Sequence, residues 1–167
     1  MTSFSKSAII KSAIVMGMLT VQAQANDKFE LAVIEGSQES GNILKGDYQQ
    51  SVQLLALGKE QGENASYEAA MSWCVAHIKL NKLQQAQQWC DKAVQLVEND
   101  RGYRTRTAKF KALALNNRAI VKYLQDDNAG AYQDFKQALA LHQSRMVKRN
   151  EQQFTQLYMA NNLLTSR

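Results

Sequence analysis

Cys74 and Cys90 are the only cysteines in a chain of 167 residues, and three chemistries are open to such a pair. A disulfide needs the two brought face to face in an oxidising compartment. A redox-active dithiol ordinarily sits closer, as C-x-x-C at a helix start where the thiolate is stabilised. Zinc needs four ligands, and two cysteines with His77 and the remote His142 do not make that set. Elsewhere the chain has no Gly-rich phosphate loop, no G-x-S-x-G, no H-E-x-x-H and no EF-hand loop. Its Asp126-Asp127 pair and its Asn99-Asp100 dipeptide stand where helices are expected to end, and short polar or acidic side chains cap and turn the chain there. A general acid–base pair needs carboxyl groups held in a cleft. The chain is therefore expected to be no enzyme and to hold no metal or cofactor.

The elements that must position the cysteines are helices. Leu113–Leu141 reads as two helices folded on each other: Ala131, Phe135 and Ala138 are spaced four and three apart, and Ala119 lies twelve residues before Ala131 on the facing helix. Moving this frame back by 45 positions gives Ala86, Cys90, Ala93 and Cys74. A further 35 gives Ser51, Leu55 and Gly58, introduced by Gly46-Asp47-Tyr48. Small–bulky–small on one helix, with a small residue opposite, lets two backbones approach closely.

The remaining elements follow in order. A stripe of Tyr48, Val52, Leu54 and Leu55 predicts a helix from Asp47 to about Leu57. Asn64-Ala65-Ser66 offers caps for a helix through Ile78. Asn81-Lys82 turns the chain into Leu83–Val97, and a longer helix runs from about Tyr103 to Gln125. Asp126-Asp127-Asn128 leads into Ala129–His142. A last helix, about Arg145–Leu164, sets Met146, Phe154, Leu157 and Tyr158 against a polar face of Lys148, Arg149, Asn150, Gln152 and Gln153, as a terminal capping helix would. Residues 26–45 are the least periodic. Phe29, Leu31, Val33 and Ile34 predict one short extended or helical piece, and Gly36-Ser37 and Ser40-Gly41 break it, leaving a partly ordered arm. With no proline and no convincing strand, the fold class is all-α.

These positions resemble tetratricopeptide repeats, helix–turn–helix units with a period near 34 residues. The likeness is clearest at Asn117-Arg118-Ala119 with Ala131, Phe135, Ala138 and Leu141. It continues at Cys74 with Ala86, Cys90 and Ala93, and as a half unit from Gly46. It covers residues 46–144, about two and a half repeats. The proline that often ends a repeat is absent, and one helix is overlong. The resemblance implies antiparallel helix pairs stacked as a short right-handed solenoid, closed by a capping helix over 145–167. It also implies that the first helix of each pair faces an inner, concave side that binds a protein or peptide. On that reading Arg106, Lys109, Leu113, Asn116, Ile120 and Tyr123 share one face of the long helix and Asn117 borders it. Asparagine can bond a peptide backbone through both donor and acceptor, and Arg106 and Lys109 would hold a carboxylate. The plainer reading of Leu113, Ile120 and Tyr123 is core packing.

In an antiparallel pair, residues equidistant from the turn face each other. The midpoint of Cys74 and Cys90 is position 82, inside the Asn81-Lys82 turn, so a disulfide is expected if the protein is exported. Export is expected from the first 25 residues. Lys6 and Lys11 precede an apolar run from about Ala13 to Val21, and Ala23-Gln24-Ala25 follows as a cleavage site. The run is too short to span a bilayer, which needs about 20 apolar residues. The periplasm, or secretion, is the expected location, with no integral span after cleavage.

Charge is polarised along the chain. Residues 26–100 carry 6 basic and 11 acidic side chains, whereas residues 101–167 carry 12 and 4. The alternative to a peptide-binding adaptor is thus an envelope accessory protein that meets polyanions or a membrane surface through its basic half. Nucleic acid is not expected as a partner, because no aromatics interleave the basic run.

Overall fold

Gly46, Asn81 and Asp126 share one backbone role. Each takes a left-handed conformation, with φ of 88°, 56° and 64°, just after a helix ends. At each, the next residue donates its N–H to the carbonyl five positions back: Asp47 to Asn42 at 2.8 Å, Lys82 to His77 at 2.9 Å and Asp127 to Lys122 at 2.9 Å. That bond closes a Schellman-type helix end, and glycine, asparagine and aspartate are the residues that tolerate it. The three sites are separated by the same 35 and 45 residues as the buried side-chain frame. The repeat is thus present in the backbone as well as in the side chains.

The computed structural model describes residues 28–58, 65–99 and 104–165. The segment read as a signal peptide, residues 1–25, lies outside them, as do Gly62, Asn64 and 100–103. Seven helices are described: α1 Gln38–Lys45, α2 Tyr48–Leu57, α3 Tyr67–Lys79, α4 Leu83–Asn99, α5 Arg104–Leu124, α6 Asn128–Leu141 and α7 Arg145–Thr165. No strand occurs among the described residues. Ser66 caps α3 by accepting from the Ala69 N–H at 3.2 Å, and Asp127 caps α6 by accepting from Gly130 at 2.9 Å.

Helix α1 falls inside the stretch expected to be irregular. Ser40-Gly41, read as a break, lies within it. Ser37 caps it instead: the Ser37 hydroxyl accepts from the Ser40 N–H, and the Ser40 hydroxyl accepts from the Ser37 N–H. The helix read from Asp47 therefore has a packed neighbour on its amino-terminal side, α1 against α2.

Every helix packs on its successor, and α1, α3, α5 and α7 also touch in succession, which makes them one row. Ala86, Ala93, Ala119, Ala131 and Ala138 are fully buried in the seams. The Ser51 hydroxyl donates across the α1/α2 seam to the Glu39 carbonyl at 3.0 Å. Gly58, placed by the frame at a small-residue position, sits instead at the exposed end of α2.

Cys74 on α3 and Cys90 on α4 form a disulfide with their Cα atoms 5.0 Å apart, and both residues are fully buried. Trp73 and Trp89 stack on each other beside it, ring centroids 5.1 Å apart and planes at 7°. A charged node ties α5 to its two neighbours. Arg118 makes a two-pronged contact with Asp134 of α6 at 2.7 and 2.8 Å and reaches Asp91 of α4 at 3.2 Å. Lys122 adds a second cation to Asp134 at 2.9 Å. Asp134 raises the Arg118 pKa further, so this guanidinium is permanently charged.

His77 is buried, stacked on Trp73 with centroids 5.2 Å apart, and bonded at 2.8 Å to the Trp73 carbonyl. A carbonyl only accepts, so Nδ1 carries the proton. Burial lowers the His77 pKa below its ordinary value, which makes the folded protein the poorer proton binder. Stability is therefore full above the unfolded value of about 6.5 and falls as pH drops below it. Urea midpoints measured from pH 7.5 to 5 are expected to show this decline, and His77→Gln is expected to flatten it.

Candidate functional site

Asn116 and Asn117 lie on α5 and Asn150 lies on α7, and none of the three is more than 1 % exposed. Burying amides at that level demands partners for each donor and acceptor. The partners come from the chain's own N-terminal arm. Asn117 donates to the Ala32 carbonyl and accepts from the Ala32 N–H, both at 2.8 Å. Asn150 treats Glu30 in the same way, donating to its carbonyl at 2.7 Å and accepting from its N–H at 2.9 Å. Asn116 adds a bond to the Glu30 carbonyl at 3.2 Å.

Two residues two positions apart thus present both main-chain groups to one side, which is how one edge of an extended strand is displayed. The asparagines also bond to one another, Asn150 to Asn116 at 2.9 Å and Asn116 to Asn117 at 3.2 Å. Each therefore fixes the amide orientation of the next. The clamp reads main chain only.

Side chains set the register. Phe29, 5 % exposed, sits in an aromatic box: its ring is 5.3 Å from Tyr123 edge-on and 6.3 Å from Phe135 in a stacked arrangement. Phe154 of α7 closes the box, 5.5 Å from Phe135 and 5.8 Å from Tyr123. Ala32 belongs to a tightly packed cluster with Ala70, Met71, Ala112, Leu115 and Val147. Leu31 and Val33 pack on Ile43, Val75 and Ala76. At the exposed edge Arg149 forms an ion pair with Glu30. The arm thereby crosses the whole row α1, α3, α5 and α7.

Of the residues predicted for a binding face, Asn116, Asn117, Ile120 and Tyr123 meet the arm or its cluster. Leu113 packs on the central cluster. Arg106 and Lys109 are exposed near the start of α5, and Arg106 lies over the Phe110 ring at 5.2 Å, one turn along its own helix. Among the described residues, no ion pair joins Arg106 or Lys109 to the arm. Asn150, Phe135 and Phe154 were not foreseen at the site. A signal for Asn150 exists: it follows Asn116 by 34 residues, close to the shorter of the two spacings between the left-handed helix ends.

Phe154 also borders an apolar groove of about 350 Å³ shared with the exposed Tyr132, Tyr158 and Met159, so the aromatic box adjoins open surface. Among the described residues no group of three or more His, Cys, Asp or Glu is placed to hold a metal, and no helix is long and apolar enough to cross a membrane. No protein-family model matches the chain, and no curated protein or solved structure matches it.

Proposed function

We propose that this protein is an exported, tetratricopeptide-like adaptor without catalysis of its own, working in the periplasm or outside the cell. Its helix pairs form a short right-handed array, and a partner protein docks as an extended segment on the inner row of helices. The observation that carries this reading is the asparagine clamp. Three buried amides on that row grip an extended backbone by both its donors and its acceptors, which is the chemistry of peptide recognition. The buried disulfide supports export, since such bonds persist in oxidising compartments.

The polyanion reading gains less from the structure. Arg118, Lys122, Lys111, Lys136 and Arg149 of the basic half are already paired with Asp91, Asp134, Glu98, Glu151 and Glu30. A photo-crosslinking side chain at the exposed position 148, next to the clamp but outside it, expressed in the native cell, tests the adaptor reading. Capture of a defined partner in the envelope fraction, lost when Asn117→Ala is added, is the expected result. Capture that ignores Asn117→Ala, or none at all, overturns it.

A further inference from the structure

The arm occupies the very site that an adaptor would offer to a partner. We infer that residues 28–35 are a displaceable internal ligand. The clamp then takes, in trans, a segment of a partner protein with the arm's own pattern: aromatic, acidic, aliphatic, alanine at four successive positions. This inference rests on the adaptor reading of the site and adds both the partner's chemistry and a built-in competitor.

Three features support it. All the hydrogen bonds the asparagines make to the arm go to the main chain of Glu30 and Ala32, so any extended segment can satisfy them. The three amides are held to one another as well as to the arm, which keeps them aligned when the arm leaves. The joint between arm and helices is self-contained. Gly36 takes a φ of 124°, a conformation that favours glycine, and the cap of α1 is closed locally between Ser37 and Ser40. Lifting the arm at Gly36 therefore costs α1 none of its cap.

Pattern specificity comes from the side-chain sites. The Tyr123, Phe135 and Phe154 box admits a flat ring. Arg149 selects an acidic neighbour at the exposed edge. The cluster around Ala32, which is 4 % exposed, leaves no volume for a larger side chain.

A labelled peptide of the sequence Lys28–Gly36, titrated by fluorescence anisotropy, is the probe. The protein is the full mature chain in three forms: unmodified, Phe29→Ala and Glu30→Arg. Glu30→Arg sets like charges against Arg149 without touching the core, so it raises the open fraction while every packed side chain stays in place. When the competent fraction rises, apparent affinity rises in proportion, so at least one opened variant is expected to bind about tenfold tighter than the unmodified chain. Adding Asn117→Ala, or replacing the peptide's phenylalanine by alanine, is expected to abolish binding.

No binding to a folded opened variant, or binding indifferent to Asn117→Ala, overturns the inference and makes the arm a permanent part of the core. A dimer that the peptide dissociates also overturns it, by assigning the clamp to the arm of a second copy. Peptide binding with no partner captured at position 148 keeps this site and removes the adaptor reading. Capture without peptide binding does the reverse.

Discussion

Reducing the Cys74–Cys90 bridge is expected to lower the stability of the fold by about 3 kcal/mol, the chain-entropy value for a loop of this size. Closing 16 residues removes open conformations from the unfolded chain while changing little in the folded one, where α3 and α4 already hold the two Cα atoms 5.0 Å apart. The loss is a large share of the 5–15 kcal/mol that domains typically retain. Cys74→Ala with Cys90→Ala reports the same loss plus a small cavity. The double serine variant costs more, because both positions are fully buried and a hydroxyl there lacks a partner. Urea unfolding of oxidised and reduced protein measures the difference, and coincident midpoints would remove the entropic account. Both sulfurs lie away from solvent, so reductant is expected to act only at the rate at which the α3/α4 pair opens.

Asn117→Ala is the second large effect. It strands the Ala32 N–H and carbonyl, both in a buried residue, and takes a partner from Asn116. Leaving two buried main-chain groups unpaired costs about 3 kcal/mol or more. The chain has a cheaper exit than global unfolding, since the arm can lift from the row and rehydrate. The expected result is fast amide exchange over residues 29–34 with the α3/α4 and α5/α6 pairs still protected. Asn117→Asp separates clamp chemistry from simple packing. At neutral pH its carboxylate faces the Ala32 carbonyl and has no donor, so the arm is released. At acid pH the protonated group regains one donor, and protection of the arm is expected to return in part. Equal behaviour of the Ala and Asp variants at every pH would mean that the contact is steric.

The helix pairs were legible because their signal is local and periodic. Small residues at 86, 93, 119, 131 and 138 had to fall on seams, and the midpoint of the two cysteines already lay at the turn. Helix α1 was hidden, since Gly41 and two serines read as punctuation until Ser37 and Ser40 are seen to cap one another. The arm's position was not legible. Its contacts are made by main-chain atoms with side chains 85 to 120 residues away, and such contacts leave no pattern in the arm itself. Helical spacing put Asn116 on one face with Ile120 and Tyr123 and Asn117 at its border, and only the repeat resemblance made that face a binding face. What they recognise depends on a tertiary path that no spacing encodes. Arg106 and Lys109 matched the same stripe but are exposed near the start of α5, with Arg106 lying over Phe110 of its own helix.

The span of the clamp has a kinetic consequence. Each helix pair closes over a few dozen residues, whereas docking Phe29 and Glu30 requires α7, the last helix, to have delivered Phe154 and Asn150. Contacts of such high sequence separation form late, because loop closure is opposed until the remaining structure can reward it. The described stretch nearest the amino terminus is thus the final piece to settle, and truncating α7 is expected to free Phe29 and Glu30 while Ala32 keeps its two bonds to Asn117.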